Sequence, residues 1–209
     1  MKPGLADYID TYLEEVTMVA RRLSRYQIAR LVDGLVELRS DNGRLFILGV
    51  GGSAANASHA VNDFRKIAGI ESYTPTDNVS ELTARINDDG WESCYARWLE
   101  VSHLSRHDAL LVLSVGGGNA EKGISTNLIE AIKLARSAGA KVFGIAGRDG
   151  GYVARTADAC VIVPLLSVAT ITPHAEAFQS VLWHLIVSHP ALRASEMKWE
   201  SISQQSGDI

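Results

Sequence analysis

Four short apolar runs constrain this chain more than any other feature. Residues 44–50 (RLFILGV), 109–115 (ALLVLSV), 141–146 (KVFGIA) and 160–163 (CVIV) are hydrophobic almost without interruption. A strand with one wet face alternates apolar and polar residues. An unbroken apolar run of this length, closed by turn residues, predicts a strand buried on both faces. Residues 71–74 form a fifth, weaker candidate. Helical spacing fills the intervals at residues 54–67, 79–86, 91–104, 127–137 and 176–187. Strands alternating with helices predict an α/β chain with a parallel sheet in a doubly wound, three-layer arrangement.

Two more helices are expected ahead of the first run. Leu5, Ile9, Leu13, Val16, Ala20 and Leu23 recur three and four apart, and Ile28, Leu31, Val32, Leu35 and Leu38 follow. Asp41-Asn42-Gly43 then stops the second helix, since these residues favour turns and a left-handed cap. Neither a repeat nor a linker interrupts the chain, so one domain is expected. Residues 1–40 are its helical pair, 41–193 its core, and 194–209 a polar, loosely held tail without periodicity.

Composition removes several function classes. Hydrophobic residues make up 46% and charged residues 21%, which argues against disorder. The net charge of -4, with no basic stripe, argues against nucleic acid as a partner. No run reaches the ~20 apolar residues that cross a bilayer, so no membrane partner is expected. The opening MKPGLADYIDTYLEE has acids where a secretory signal needs an apolar stretch. Two cysteines, Cys94 and Cys160, form no metal or redox spacing, and the cytoplasm is the expected compartment.

The most informative turn is Gly49-Val50-Gly51-Gly52-Ser53, between a predicted buried strand and a predicted helix. Glycines let the backbone turn sharply and approach a ligand closely. The helix that follows offers free N–H groups and a positive dipole end to a phosphate. Ser53 is either an N-cap or a ligand donor. Residues 49–54 also fit the dinucleotide fingerprint G-x-G-x-x-A. That fingerprint needs an acid at the end of the next strand, whereas Glu71 begins one.

The segment GVGGSAANASHAVNDF, residues 49–64, resembles the sugar isomerase (SIS) domain, and within it the bacterial phosphoheptose isomerases. The resemblance extends over most of the chain. It takes in the Asn87-Asp88 pair before Gly90, the run ending at Ser114, the Gly147-x-Asp149-Gly150-Gly151 turn, Thr156-Ala157-Asp158 and a last helix reaching His184. It implies a five-stranded parallel sheet and a homotetramer with sites shared between subunits. The implied activity is the interconversion of sedoheptulose 7-phosphate and a heptose 7-phosphate.

Residue roles follow from the same resemblance. Gly51, Gly52, Ser53, Ser114, Gly116, Gly117 and Asn119 match the phosphate and sugar loops, and Asp88 matches a sugar-hydroxyl contact. His59, Asp63, Glu176 and His184 match positions that hold zinc in metal-binding members. Asp63 and His184 match the catalytic base and acid, and Glu176 also matches a substrate contact. Moving a proton between neighbouring carbons through an enediolate needs a base, an acid at the carbonyl oxygen and a stabiliser of negative charge.

Three departures bear on that expectation. Asp63 stands where the family has Glu, which draws the carboxylate back by ~1 Å. The second loop reads Ser114-Val115-Gly116-Gly117-Gly118-Asn119 instead of a hydroxyl-rich sequence, with an insertion at residues 120–125, so a glycine-loop nest, Lys122 or Ser125 must make up the lost contacts. Glu176 replaces a neutral amide, and two carboxylates at one site favour a bound metal. Glu176 and His184 are eight residues apart, ~12 Å along a straight helix, so a shared ion needs an irregular first turn. Thr172-Pro173 reads as the N-cap and first residue of that helix.

Two alternatives keep the fold. One is a non-catalytic SIS protein, since a relative that binds the bacterial replication initiator has a run like SAANA at residues 53–57. The other is an isomerase of a different sugar phosphate. His103 and His107 have ligand spacing without a third partner, Trp91 and Trp98 share a helical stripe suited to packing, and Cys160 is expected to be buried and inert.

Overall fold

A computed structural model describes residues 5–195. Helices α1 (Leu5–Arg22) and α2 (Arg25–Ser40) precede β1 (Leu45–Leu48), α3 (Gly52–Lys66) and the short β2 (Ser72–Tyr73). After a single 3-10 turn come α4 (Val79–Asp89), α5 (Cys94–Val101), β3 (Ala109–Ser114) and α6 (Thr126–Ser137). β4 (Lys141–Ala146), α7 (Gly151–Thr156), β5 (Ala159–Ile162) and α8 (Ile171–Ser188) complete the described chain. The five strands are all parallel, in the order β2-β1-β3-β4-β5. The order reverses direction next to β1, and in such sheets ligands bind at the carboxyl ends of the strands beside that reversal.

The unbroken apolar runs have a direct explanation. Leu45 and Ile47 pack into one core with Leu35, Phe64 and Trp183, while Phe46 and Leu48 pack into another with Tyr95, Leu110 and Val112. Both faces of the sheet are therefore dry. Each such side chain contributes about 1.5–3 kcal/mol by burial. Arg44 begins the first run because its guanidinium pairs with Asp108 at 2.8 Å, tying the starts of β1 and β3. Burial works to raise the Asp108 pKa. Hydrogen bonds from Arg44 and Ser105 outweigh it and hold the carboxyl below its usual range.

Several boundaries differ from the sequence reading. α8 begins at Ile171, with Thr170 as its N-cap, so Pro173 lies inside the first turn. α5 begins at Cys94, three residues after Trp91. α7, only six residues long, carries too little periodicity to be read. Ala194 and Ser195 both donate backbone N–H groups to the Ile67 carbonyl, which ties down the start of the expected tail. The rest of that tail lies outside the described residues.

Thr170 caps nothing with its side chain because the hydroxyl is used elsewhere. It donates to Glu15 Oε2 of α1 at 2.6 Å, and His174 Nε2 donates to the same oxygen at 2.8 Å. Glu15 and His174 are both buried, and Tyr12 lies against the His174 ring at 4.5 Å. The Thr170 hydrogen bond, then that from His174, hold the Glu15 carboxyl below the usual glutamate range. A depressed carboxyl stabilises the fold above its unfolded value, about 4.3, and that stability is lost as pH falls through the folded value. Lowering pH from about 7 to about 3 is therefore expected to free α1 before the sheet opens. Hydrogen exchange of the α1 amides checks this, and a Glu15→Gln variant should show no such pH dependence.

Candidate active site

The first glycine turn joins β1 to α3 at the carboxyl edge of the sheet. Gly51 is the N-cap, at φ 62° and ψ -126°, a backbone state that side chains other than hydrogen rarely permit. A Cβ on Gly49 would run into the Ser53 carbonyl, so the turn can be this tight only with glycine. Tyr95, buried in the second core, donates its hydroxyl to the Gly49 carbonyl at 2.7 Å. Burial pushes the Tyr95 pKa up, which keeps that donor protonated.

Ser53 is buried in the first turn of α3 and makes no capping bond. Its Oγ accepts a hydrogen bond from Gln179 Nε2 at 3.0 Å. Gln179 Oε1 in turn accepts from Asn56 Nδ2 at 2.9 Å, and the same amide donates to the Glu176 carbonyl. With one lone pair occupied, the Ser53 hydroxyl still has a proton to donate. A hydroxyl oriented in this way by a buried amide suits an anionic ligand.

The second loop follows β3. Ser114 Oγ accepts the Gly117 N–H at 3.0 Å. The Gly117 and Gly118 carbonyls accept N–H groups of Val153 and Tyr152 at the start of α7. A Cβ on Gly117 would run into the Gly150 carbonyl, so this glycine serves a close approach between loops. Asn119 pairs with Ile124 in an isolated bridge, and its side chain accepts the Lys122 N–H at 2.9 Å. Ser53, Ser114 and Gly116 face one cleft of about 280 Å³, together with Ser125 and Arg148. Gly117 and Asn119 thus hold the loop in place more directly than they face this cleft.

A second cluster lies further along α3 and α8. His59, Asp63 and His184 each offer a ligand atom within 4.8 Å of the others. Asp63 Oδ2 is 3.7 Å from His59 Nε2 and 3.6 Å from His184 Nε2. Asp63 is buried, while both imidazoles are about half exposed. Asn62 donates to Asp63 Oδ1 at 2.8 Å, which leaves Oδ2 facing the histidines. His184 Nδ1 donates to the Ser180 carbonyl at 2.8 Å, which leaves Nε2 as the free electron pair. An imidazole fixed in one tautomer by a carbonyl and a carboxylate with one free oxygen form a donor set suited to a metal ion.

Glu176 does not join this cluster. α8 runs without interruption from Ile171 to Ser188, so the two-turn separation from His184 is preserved. Its carboxylate lies against Gly52, where an added Cβ would come within 2.6 Å of it. Within one copy, Glu176 therefore lies at the glycine turn and outside the group formed by His59, Asp63 and His184. Asp88 is exposed in the last turn of α4 and accepts from Asn87 Nδ2 at 2.7 Å. Among the described residues, no hydrogen bond or ion pair links it to the other candidates. His103 and His107 lie in the loop after α5, outside any metal-ligand group of the described residues. Burial pushes the Cys160 thiol up to about 12, as expected of an inert cysteine. Trp98 packs edge-on against Phe46 at 5.6 Å.

Sequence reasoning missed Gln179, Asn56, Tyr95 and Arg148. The first three act through partners distant in the chain and leave no local signal. Arg148 had one, since it sits inside the Gly147–Gly151 turn, where it adopts φ 56°.

Known proteins share this fold and family. The SIS domain family model matches residues 8–147. A phosphoheptose isomerase of Aneurinibacillus thermoaerophilus is 28% identical over 190 residues, 86% of this chain and 90% of its own length. One from Rhodospirillum rubrum is 32% identical over 149 residues, covering 69% of this chain and 73% of its own length. The solved phosphoheptose isomerase of Neisseria gonorrhoeae superposes with a TM-score of 0.76 at 23% identity, over 88% of this chain and 98% of its own. No helix of the described residues is long and apolar enough to cross a membrane.

Proposed function

The chain belongs to the SIS domain family, and on that premise we propose that it is a sugar-phosphate isomerase that interconverts sedoheptulose 7-phosphate and a heptose 7-phosphate. The observation that carries this reading is the convergence of His59, Asp63 and His184 on a chain that also builds the Ser53–Ser114 cleft. The cleft binds the phosphate through the hydroxyls of Ser53 and Ser125 and the Arg148 guanidinium. Asp63 Oδ2 takes the proton from the carbon beside the carbonyl. His184, in its protonated form, delivers a proton from Nε2 to the carbonyl oxygen and takes one back from the neighbouring hydroxyl. Asp63 returns its proton to the former carbonyl carbon, which completes the isomerisation. A protein that only binds a partner has no use for this trio, which disfavours the non-catalytic alternative.

His59, Asp63 and His184 would also suit zinc, in which case His184 Nε2 and Asp63 Oδ2 would serve as ligands instead of as acid and base, with a fourth position left for substrate. When bound, the ion would polarise the carbonyl and stabilise the negative charge of the enediolate. The shorter side chain of Asp63 still reaches a point nearly equidistant from the two imidazoles.

The site is composed from more than one copy. Ser53 and Asp63 are ten residues apart on one helix, ~15 Å along its axis. That exceeds the reach from C1 to phosphorus in a seven-carbon sugar. The cleft of one copy then works with the His/Asp cluster of a neighbour in a homotetramer. Val181 and Leu185, on α8 beside the half-exposed His184, are 50% and 40% exposed and provide apolar surface for such a neighbour. With no membrane-crossing helix among the described residues, the cytoplasm suits such an enzyme.

The test is an isomerase assay with sedoheptulose 7-phosphate, run with zinc and after chelation. Aldose formation is the expected result, and turnover no higher than in a His184→Ala control would sink the reading. A second reading, isomerisation of another sugar phosphate, is favoured by the glycine-rich loop. A thermal-shift series over sugar phosphates separates the two, because the ligand that binds the folded state best raises stability most.

A further inference from the structure

Two clefts meet at Gly116 and Arg148. The Ser53–Ser114 cleft is one. The other, about 230 Å³, lies across the glycine loop and is lined by Lys122, Arg148, Arg155, Asp149 and Asn119. Three cations and one carboxylate make its lining positive in a chain of net charge -4. Clefts lined by one sign of charge concentrate the opposite sign.

Elsewhere on the surface some cations are paired, as Arg85 is with Glu81, Arg97 with Glu100, Lys133 with Glu130 and Arg136 with Asp158, and others stand singly. Lys122, Arg148 and Arg155 have no ion pair and no side-chain hydrogen bond among the described residues. Asp149 forms no ion pair with them and its Oδ1 accepts the Gly151 N–H at 3.2 Å, so its charge reduces the positive lining without cancelling it. The three cations come from separately ordered pieces of backbone. Lys122 sits on the turn closed by the Asn119–Ile124 bridge, Arg148 in the left-handed turn after β4, and Arg155 on α7, which the glycine loop clamps. The three exposed cations repel one another only weakly across solvent, and an anion seated among them would be attracted by all three. Two guanidiniums and an ammonium match the oxygens of a phosphoryl group.

We propose that the Lys122–Arg148–Arg155 cavity is a second anion subsite, which takes a phosphoryl group other than the one held at Ser53 and Ser114, so that a sugar phosphorylated at two positions spans both clefts. The assignment of the first phosphate rests on the functional reading above. Arg148 and Gly116, which line both cavities, are the junction the sugar crosses.

Calorimetric titration of the wild-type protein tests this with sedoheptulose 7-phosphate and sedoheptulose 1,7-bisphosphate. The 1-phosphate blocks carbonyl exchange at C1, so the second probe reports binding without turnover, and its result stands apart from the isomerase assay. The bisphosphate is expected to bind about tenfold tighter or more, the value of a few charge-assisted hydrogen bonds. An Arg155→Ala variant should lose most of that advantage while binding and turning over the monophosphate as before, and Arg155→Lys should keep part of it. The Arg155 side chain is exposed and away from the first cleft, so the fold is retained. Equal affinity of the two sugars, or an advantage unchanged by Arg155→Ala, would overturn the proposal. Inorganic phosphate titrated into protein saturated with the monophosphate identifies a free anion instead. Uptake there that Arg155→Ala abolishes, without a bisphosphate advantage, would also overturn the two-phosphate sugar.

Discussion

A His184→Ala variant is expected to lose isomerase turnover by about 10²–10⁴-fold, the range supplied by a positioned acid or base. The fold should survive the change. The His184 side chain is half exposed, and its shortest hydrogen bond is to the Ser180 carbonyl one turn back on the same helix. Surface changes of this kind cost within about 0.5 kcal/mol. The variant also removes one of three candidate metal donors. Zinc content measured on the same preparations therefore separates two routes to inactivity. If His59 and Asp63 retain the ion and turnover still collapses, proton transfer at Nε2 accounts for the loss. If ion and turnover are lost together, ligation is the first role of His184. Turnover within tenfold of the wild type would remove His184 from the chemistry.

The two halves of the site were unequally legible in the sequence, for physical reasons. Strands buried on both faces have a pattern no amphipathic helix shares, so β1, β3 and β4 could be read from single runs of residues. β2 is two residues at the sheet edge, and α7 is too short for periodicity to register. His59 and Asp63 could be paired because four residues on a helix define one face. The resemblance put Glu176 with His184, while the continuity of α8 sets it within one copy at the glycine turn, two helical turns away. The start of α8 was misread because Thr170 is committed to Glu15, 155 residues away. Tyr95 and Gln179 were invisible for the same reason, since their hydrogen-bond partners lie 46 and 126 residues distant. Periodicity reports the face an element buries. It does not report which distant atom a polar side chain meets.

A Gly117→Ala substitution is expected to be the most damaging single methyl in the second loop. Two separate costs fall on it. Gly117 sits at φ 71°, where an L side chain costs about 1–2 kcal/mol. Its Cβ would also collide with the Gly150 carbonyl, and backbone on both sides leaves no flexible side chain to yield. Overpacking of this sort costs about 1–3 kcal/mol more. The sum, about 3 kcal/mol, lowers the melting temperature of a chain this size by roughly 6–12 °C. The loop can relieve the collision only by drawing away from α7, which breaks the N–H bonds of Val153 and Tyr152 to the Gly117 and Gly118 carbonyls. Ser114 and Gly116 would then move relative to Ser53, and a displacement near 1 Å can cost about 10²-fold in turnover. Gly123→Ala is the control, because Gly123 has φ 62° but no atom within 4 Å of its added Cβ. It carries the conformational cost alone, so its melting temperature should fall by roughly 2–4 °C for each kcal/mol of strain. Equal losses in the two variants would mean that the approach of the loop to Gly150 contributes nothing, and that the glycine at position 117 is there for its φ alone.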